Sequence, residues 1–362
     1  MASEELYSLI AKINKEEDQK LYWQMNGKEI SCFSQPMDRR FGIHEAMTES
    51  IRIGISSCLL GNNVRYDGGH QHDRYITDTL GRYFTWVPVC PEVECGLSIP
   101  REAMRLIGEP ESPRLVTIHS RIDHTERMLQ WEMRKFEELE NEKLCGFIFK
   151  SKSPSSGIGG VKIYSSSGMP DRKGAGIFGG AFVKHFPPIP VIDDGRLHDP
   201  ILRENFIERV FVYKRWCDLI QEKGSVKELI HFHTRHKLQI MAHSPKHLTV
   251  LGRIVADIKG HEAGKYLEDY ITALTDALHL NATAKKNANV LFHMAGYFKK
   301  RVSEDERREL AEVIEDYRRG LIPLIVPIVM IRHYVRKFDE PYLKNQYYLN
   351  PHPLELMLRN HV

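Results

Sequence analysis

The 362-residue chain has no apolar run long enough to span a bilayer, which takes about 20 residues. The longest candidate, residues 321–331, holds two prolines. No long apolar stretch follows the acidic opening Met1-Ala2-Ser3-Glu4-Glu5. A secretory signal is therefore not expected, and a reducing cytoplasm is. Cysteine is scarce, at six residues. In a cytoplasmic chain, six cysteines suit ligands, nucleophiles or core positions better than disulfide staples. Tandem repeats and low-complexity tracts are also missing. Strong charge of one sign is missing too, but the near balance hides an asymmetry. Residues 1–200 carry 25 Lys/Arg against 28 Asp/Glu, whereas residues 201–362 carry 26 against 20 and eleven of the eighteen histidines. The mildly basic second half permits a nucleic-acid partner without requiring one.

What is present divides into three stretches: an extension over residues 1–46, a domain over 47–200 and a second domain over 201–362. Strand-like runs occur at Ile51–Ile55, Thr85–Val89, Leu115–Ile118, Cys145–Phe149 and Ile189–Ile192, with a helical stretch at Thr125–Lys143. This alternation predicts an α/β, Rossmann-like domain: a mostly parallel sheet with helices on both faces. Ligands of such sheets bind beyond the strand carboxyl ends. After about residue 201 strands vanish, and an all-α domain is expected. Its helices are Leu219–Met241, His243–Lys259, Glu262–Leu278, Ala284–Phe298, Ser303–Arg319 and Leu321–Phe338, with Asn205–Cys217 as a linking helix. Ser303 and Glu306 have the spacing of a capping box, Gly320 marks a stop, and Glu304 and Arg308 lie one turn apart.

Three cysteines gather around an acidic stretch: Cys58 in Ser56-Ser57-Cys58-Leu59-Leu60-Gly61, and Cys90 and Cys95 in Cys90-Pro91-Glu92-Val93-Glu94-Cys95. Each stands after or near a strand-like run, so all three can reach one sheet edge. Three thiolates on a four-iron cube leave one iron open, a soft Lewis acid that favours sulfur. Zinc competes for a Cys-x4-Cys pair, but no second tight Cys/His pair completes a structural zinc site. Cys32, Cys145 and Cys217 read as small core residues. Glu92 can move protons beside a bound substrate, or can act as an acid at a helix N-terminus. Glu94 reads as a surface charge. Ser151, Ser153, Ser155 and Ser156 bring hydroxyls and amides into one turn, which either holds an anion or heteroaromatic edge or bonds to itself. Tyr66-Asp67-Gly68-Gly69-His70 is a similar turn. Gly174-Ala175-Gly176-Ile177-Phe178-Gly179 has dinucleotide-loop spacing, but residues 169–173 before it read as a turn, so a nucleotide cofactor is not expected. In the second half, His233 with His236, and His243 with His247, can share helix faces beside Arg235, Lys237 and Lys246. Metal binding, phosphate contact and plain structural bonding all remain open for them.

Five motifs in order carry a resemblance. They are Ser57-Cys58-Leu59-Leu60-Gly61, Val64-Arg65-Tyr66-Asp67-Gly68, Cys90-Pro91-Glu92, Ile99-Pro100-Arg101 and Lys150-Ser151-Lys152-Ser153-Pro154-Ser155. Together they make residues 50–190 resemble the TudS-like thiouracil desulfidase family. Phe232-His233-Thr234-Arg235-His236-Lys237 and Met241-Ala242-His243-Ser244-Pro245 make the remainder resemble the YbgA-like, or pre-photolyase, domain. The resemblance implies a [4Fe-4S] cluster and a non-redox, hydrolase- or lyase-like exchange of thiocarbonyl sulfur for oxygen in thiouracil or thiouridine, free or in RNA. The thiolated pyrimidine would be the substrate, and tRNA a partner of the basic helical half. Cys58 and Cys90 lie on the family's positions. Short family members carry Ser-Pro-Ser-Cys-Gly where this chain has Ser-Pro-Ser-Ser-Gly, so Cys95 is expected to replace the thiolate absent at Ser156. Glu92 would activate water, and Ser151, Ser153 and Ser155 would orient the ring. The competing reading is a non-catalytic RNA- or protein-binding adaptor with a structural metal.

Overall fold

The computed structural model describes residues 50–165, 169–221, 225–258 and 264–361. The expected extension over residues 1–46 lies outside them. Strand β1 (Ile51–Ser56) pairs in parallel with β2 (Phe84–Val89) on one side and β5 (Gly146–Phe149) on the other. β5 pairs in parallel with β8 (Val191–Asp193), giving the order β2-β1-β5-β8. β5 reads Gly-Phe-Ile-Phe and is buried throughout, as a parallel strand covered on both faces requires. Successive side chains of a strand point to opposite faces. Phe147 and Phe149 accordingly meet Trp131, Phe136, Phe178 and Phe182 from helices α2 (Thr125–Asn141) and α3 (Ile177–His185). Ile148 turns the other way, with Ile53 and Ile55, onto Phe206, Ile207, Val210 and Phe211 of α5 (Pro200–Gln221).

A second sheet was not legible as such. Its order is β4-β3-β6-β7, from β4 (Ser112–Thr117), β3 (Met104–Glu109), β6 (Val161–Tyr164) and β7 (Pro170–Gly174). Only β3 and β6 run parallel; the outer pairs are antiparallel. The run expected at Leu115–Ile118 therefore belongs to a hairpin here, not to the parallel sheet. Arg105, Glu109 and Arg114 interrupt the apolar pattern because these strands are only half covered.

The second half is helical. α6 (Val226–His243), α7 (Pro245–Ala256), α8 (Lys265–His279), α9 (Ala284–Gly296), α10 (Glu304–Arg318), α11 (Ile325–Lys337) and the short α12 (Pro341–Lys344) follow α5. The single helix expected over Leu219–Met241 is two: α5 ends at Gln221, and a capping box of Ser225 and Glu228 starts α6. The second box, Ser303 with Glu306, forms as its spacing predicts, and Gly320 follows α10 with φ 76°. Arg308 pairs with Asp305 rather than with Glu304. α5 is shared between cores. Its first turns complete the sheet, and Val212, Trp216 and Leu219 join a cluster with α6 and α8. Among the described residues, no helix is long and apolar enough to cross a membrane.

Candidate functional site

In the order β2-β1-β5-β8 the chain leaves β1 for one side and β5 for the other, so a crevice opens beyond their carboxyl ends. A cavity of about 350 Å³ lies there. Cys58 reaches it from a 3-10 turn (Ser57–Leu60) directly after β1, closed by Gly61 at φ 91°. Cys90 reaches it from the end of β2, as the residue before the one-turn helix α1 (Pro91–Glu94). Glu92 enters from that helix, and residues 151–156 enter from the turn after β5.

Both cavity thiols are held in their neutral form. Burial pushes Cys58 up against the opposing pull of Lys150 and Arg65. Burial pushes Cys90 up to about 11, and the Glu92 carboxylate adds to the rise. A thiol in this condition ionises when a metal replaces its proton. Cys90 Sγ faces the Val64 carbonyl at 3.8 Å, and its amide donates to Glu94 Oε1 at 2.7 Å. Glu94 is thus a capping group, also paired with Lys135 at 3.0 Å, rather than a free surface charge.

Cys95 does not join them. It is absent from the cavity wall, its Sγ donates to the Glu92 carbonyl at 3.3 Å, and it packs against the apolar cluster under the sheet. The reason is helical geometry: five residues at about 100° each carry it roughly 140° around α1 from Cys90. The described residues contain no group of three or more His, Cys, Asp or Glu side chains arranged to hold a metal ion. The tripod of Cys58, Cys90 and Cys95 expected from the sequence is therefore not assembled. Ser156, by contrast, does face the cavity. The wall's soft donors are Cys58 and Cys90. Two sulfurs are fewer than the three thiolates expected for a four-iron cluster.

Both oxygens of Glu92 accept hydrogen bonds. Arg101 donates Nε to Oε2 at 2.8 Å and Nη2 at 2.5 Å. The Ser155 hydroxyl donates to Oε1 at 2.8 Å. Because the Ser155 proton goes to Glu92, Ser155 must accept from Ser153 across their 3.0 Å contact. Ser153 Oγ in turn accepts from the amides of Ser155 and Ser156 at 3.3 and 3.1 Å. These hydroxyls form a directed chain into the carboxylate and are not free donors for a ring. Ser151 Oγ lies 3.2 Å from Lys150 Nζ. Lys150 also pairs with Asp194 at 2.7 Å. Burial raises Asp194, but its bonds from Lys150 and Ser151 outweigh that and leave it below its ordinary value. Arg101, Lys150 and Asp194 were not singled out for the site. Arg101 and Lys150 stand inside the motifs that carry the resemblance, whereas nothing local in the sequence points to Asp194.

The dinucleotide-like glycines have a different use. A strand, β7, does run into them, contrary to the turn expected at 169–173. The amides of Gly176, Ile177 and Gly179 are already bonded to the carbonyls of Gly157, Pro154 and Ser155 at 2.7, 3.2 and 3.1 Å. They clamp the serine turn and are not open to a pyrophosphate.

His233, His236 and His247 of the second half are bonded within the fold. His233 Nδ1 meets the Tyr270 hydroxyl at 3.1 Å, and burial pushes the ring down to about 4. His236 donates Nδ1–H to the Phe232 carbonyl at 2.8 Å, and burial holds it well below its ordinary range. His247 is bonded to Ser244 Oγ at 2.8 Å.

Residues 53–194 match the 2-thiouracil desulfurase family, and residues 237–353 match DUF1722, a protein family of unknown function. The chain is 35% identical to the uncharacterized protein YbgA of Escherichia coli (strain K12) over 143 residues, 39% of this chain and 85% of YbgA. It is 30% identical to the uncharacterized protein YbbK of Bacillus subtilis (strain 168) over 112 residues, 30% of this chain and 74% of YbbK. The solved structure of the [4Fe-4S]-dependent thiouracil desulfidase TudS aligns at 26% identity with a TM-score of 0.33, covering 41% of this chain and 93% of that one.

Proposed function

We propose, from the premise that this chain joins a domain of the 2-thiouracil desulfurase family to a DUF1722 domain, that it is a desulfidase. It would exchange the thiocarbonyl sulfur of a thiolated pyrimidine for oxygen. The observation that carries this reading is the meeting of Cys58, Cys90 and Glu92 at one cavity beyond the parallel strands. Two soft sulfurs beside a carboxylate suit a substrate whose reacting group is itself a sulfur.

The reaction balances without redox change. Water adds to the thiocarbonyl carbon, the carbon–sulfur bond breaks, and sulfur leaves as hydrogen sulfide. Glu92 is the residue that would take the water's proton. Its Oε2 is held by Arg101, and Oε1 keeps a lone pair beyond the one that accepts from Ser155. The carboxylate is thus held and aimed while one oxygen serves as the base. Ser155 and Ser153 fix that aim, and so act as positioning residues instead of the ring-orienting donors expected from the sequence. Lys150 and Arg65 set a positive field beside Cys58 that offsets part of the burial which keeps its thiol neutral. An iron–sulfur cluster held by Cys58 and Cys90 would supply a soft Lewis acid toward the substrate sulfur.

The test is incubation of anaerobically reconstituted protein with 2-thiouracil, thiouridine and thiolated tRNA. Uracil or uridine should form in step with sulfide. A protein loaded with iron and sulfide that turns over none of the three would sink the proposal. Retention of tRNA without turnover would favour the adaptor reading.

A further inference from the structure

One cation of the cavity wall has more protons than partners among the described residues. Lys150 stands directly after β5 and lines the cavity beside Ser151. Its Nζ donates to Asp194 Oδ2 at 2.7 Å and to Ser151 Oγ at 3.2 Å. An ammonium carries three protons, so one is left for a molecule in the cavity. The wall's Arg101 is already taken up by Glu92, Val64 and Ser98, and Arg65 Nε faces Asp67 at 3.6 Å.

Asp194 holds this ammonium in place. It opens α4 (Asp194–Leu197), the one-turn helix directly after β8. Its Oδ2 accepts from Lys150, and its Oδ1 accepts from the Ser151 amide at 2.6 Å. The Ser151 hydroxyl bonds to the same carboxylate. One side chain from the edge strand therefore fixes both the backbone of the serine turn and the lysine that precedes it. The Lys150 and Asp194 side chains are only 18% and 14% exposed, so salt screens this pair less than a surface one. Lys150 also pulls on the Cys58 thiol more strongly than Arg65 does, which sets its charge toward the sulfur side of the cavity.

We infer that Lys150 is a catalytic cation, receiving the negative charge that gathers on the thiocarbonyl sulfur as water adds to its carbon, and that Asp194 positions it. The inference rests on the desulfidase reading above. As water adds, its proton passes to Glu92, the oxygen–carbon bond forms, and the carbon–sulfur π pair moves onto sulfur. Lys150 donates a hydrogen bond to that sulfur and keeps its own proton. On collapse the remaining carbon–sulfur pair follows onto sulfur, and the new hydroxyl becomes a carbonyl. The hydroxyl proton and the one held by Glu92 leave with sulfur as hydrogen sulfide, and nothing is oxidised or reduced. A donor that meets charge present only in the transition state raises kcat more than it tightens binding.

The test compares the full chain, prepared anaerobically, as wild type, Lys150→Met, Lys150→Arg, Asp194→Asn and the Lys150→Met/Asp194→Asn pair. Sulfide release from 2-thiouracil gives kcat and KM. Equilibrium dialysis gives the binding of uracil, which has no thiocarbonyl, and thermal unfolding checks each fold. Lys150→Met should lower kcat by about 10²- to 10³-fold, with far smaller changes in KM and in uracil binding. Lys150→Arg should recover part of that loss. Asp194→Asn keeps an acceptor for the Ser151 amide but not the charge facing Lys150, and should also lower kcat. The double variant should be no slower than Lys150→Met, because Asp194 acts through the lysine. If Lys150→Met keeps the wild-type kcat, or loses uracil binding as much as turnover, the inference fails while the desulfidase reading stands. Two single losses that multiply in the double variant would overturn the role of Asp194. Should Lys150→Met not fold, a wild-type kcat in folded Asp194→Asn overturns the inference. A wild type that releases no sulfide removes the desulfidase reading and the inference with it.

Discussion

Ser155 donates its hydroxyl proton to Oε1 of Glu92 across 2.8 Å, joining the turn after β5 to the helix after β2. Arg101 holds the opposite oxygen, and both members of that ion pair are largely buried. Glu92→Gln keeps an oxygen for Ser155 but cannot accept the water's proton. The substitution should lower kcat by about 10²- to 10⁴-fold while leaving iron content and spectrum unchanged. Normal turnover by this variant would remove Glu92 from the mechanism.

Gly179 supports the site from behind. Its missing Cβ leaves room for the carbonyls of Ser156 and Gly157, which an alanine would meet at 2.4 and 2.7 Å. Both contacts are with backbone, which cannot step aside as a flexible side chain would. Gly179→Ala should cost about 1–3 kcal/mol in stability and displace the serine turn. Activity should fall further than the loss of folded protein explains. Activity per folded molecule equal to wild type would show that the clamp is not needed.

Acid stability should depend on the buried histidines. Burial pushes His233 and His352 down to about 4 and holds His236 well below its ordinary value. Their folded-state values lie below the unfolded one, near 6.5. Above that pH they cost nothing. As pH falls from about 6.5 toward 4 the unfolded chain takes up protons that the folded chain refuses, and stability is lost. Denaturant unfolding at pH 7.5 and pH 5 should differ by several kcal/mol, on the order of 1.4 kcal/mol per group for each pH unit of the interval. Equal stability at the two pH values would contradict this.

Glu208 makes the opposite kind of contribution within the same half. His243 donates Nδ1–H to the Leu280 carbonyl at 2.6 Å and reaches Glu208 through Nε2 at 3.4 Å. Burial raises Glu208, but His243, Arg359 and Gln239 together hold it down to about 2. Its stabilisation is present above the ordinary carboxylate range and is lost as pH falls from about 4.5 toward 2. Glu208→Gln would remove the carboxylate that faces His243 and Arg359 in this buried cluster, at about 3–5 kcal/mol. Chemical unfolding at pH 7 measures it, and a cost below about 1 kcal/mol would mean that the network is not charged.

The parallel strands and most helices were legible because each carries its own signal. β5 is apolar throughout, and Ser303 with Glu306 caps a helix by spacing alone. The second sheet was hidden because β3 and β4 are half exposed and interleave charges with apolar residues. The start of α6 was missed although Ser225 and Glu228 have the capping-box spacing that marks a helix N-terminus.

The sequence by itself determined the fold class, the family and the residues that gather near one sheet edge, because strand and helix periodicity and short motifs are local properties of the chain. Only the tertiary structure decided which of those residues share a cavity. Cys95 and Ser156 sit on segments of equal promise, yet the turn of α1 carries Cys95 into the apolar cluster and the seat on α3 holds Ser156 in the cavity wall that Cys58 and Cys90 also line. A side chain's final direction depends on what packs against it from distant parts of the chain, and no local pattern contains that information.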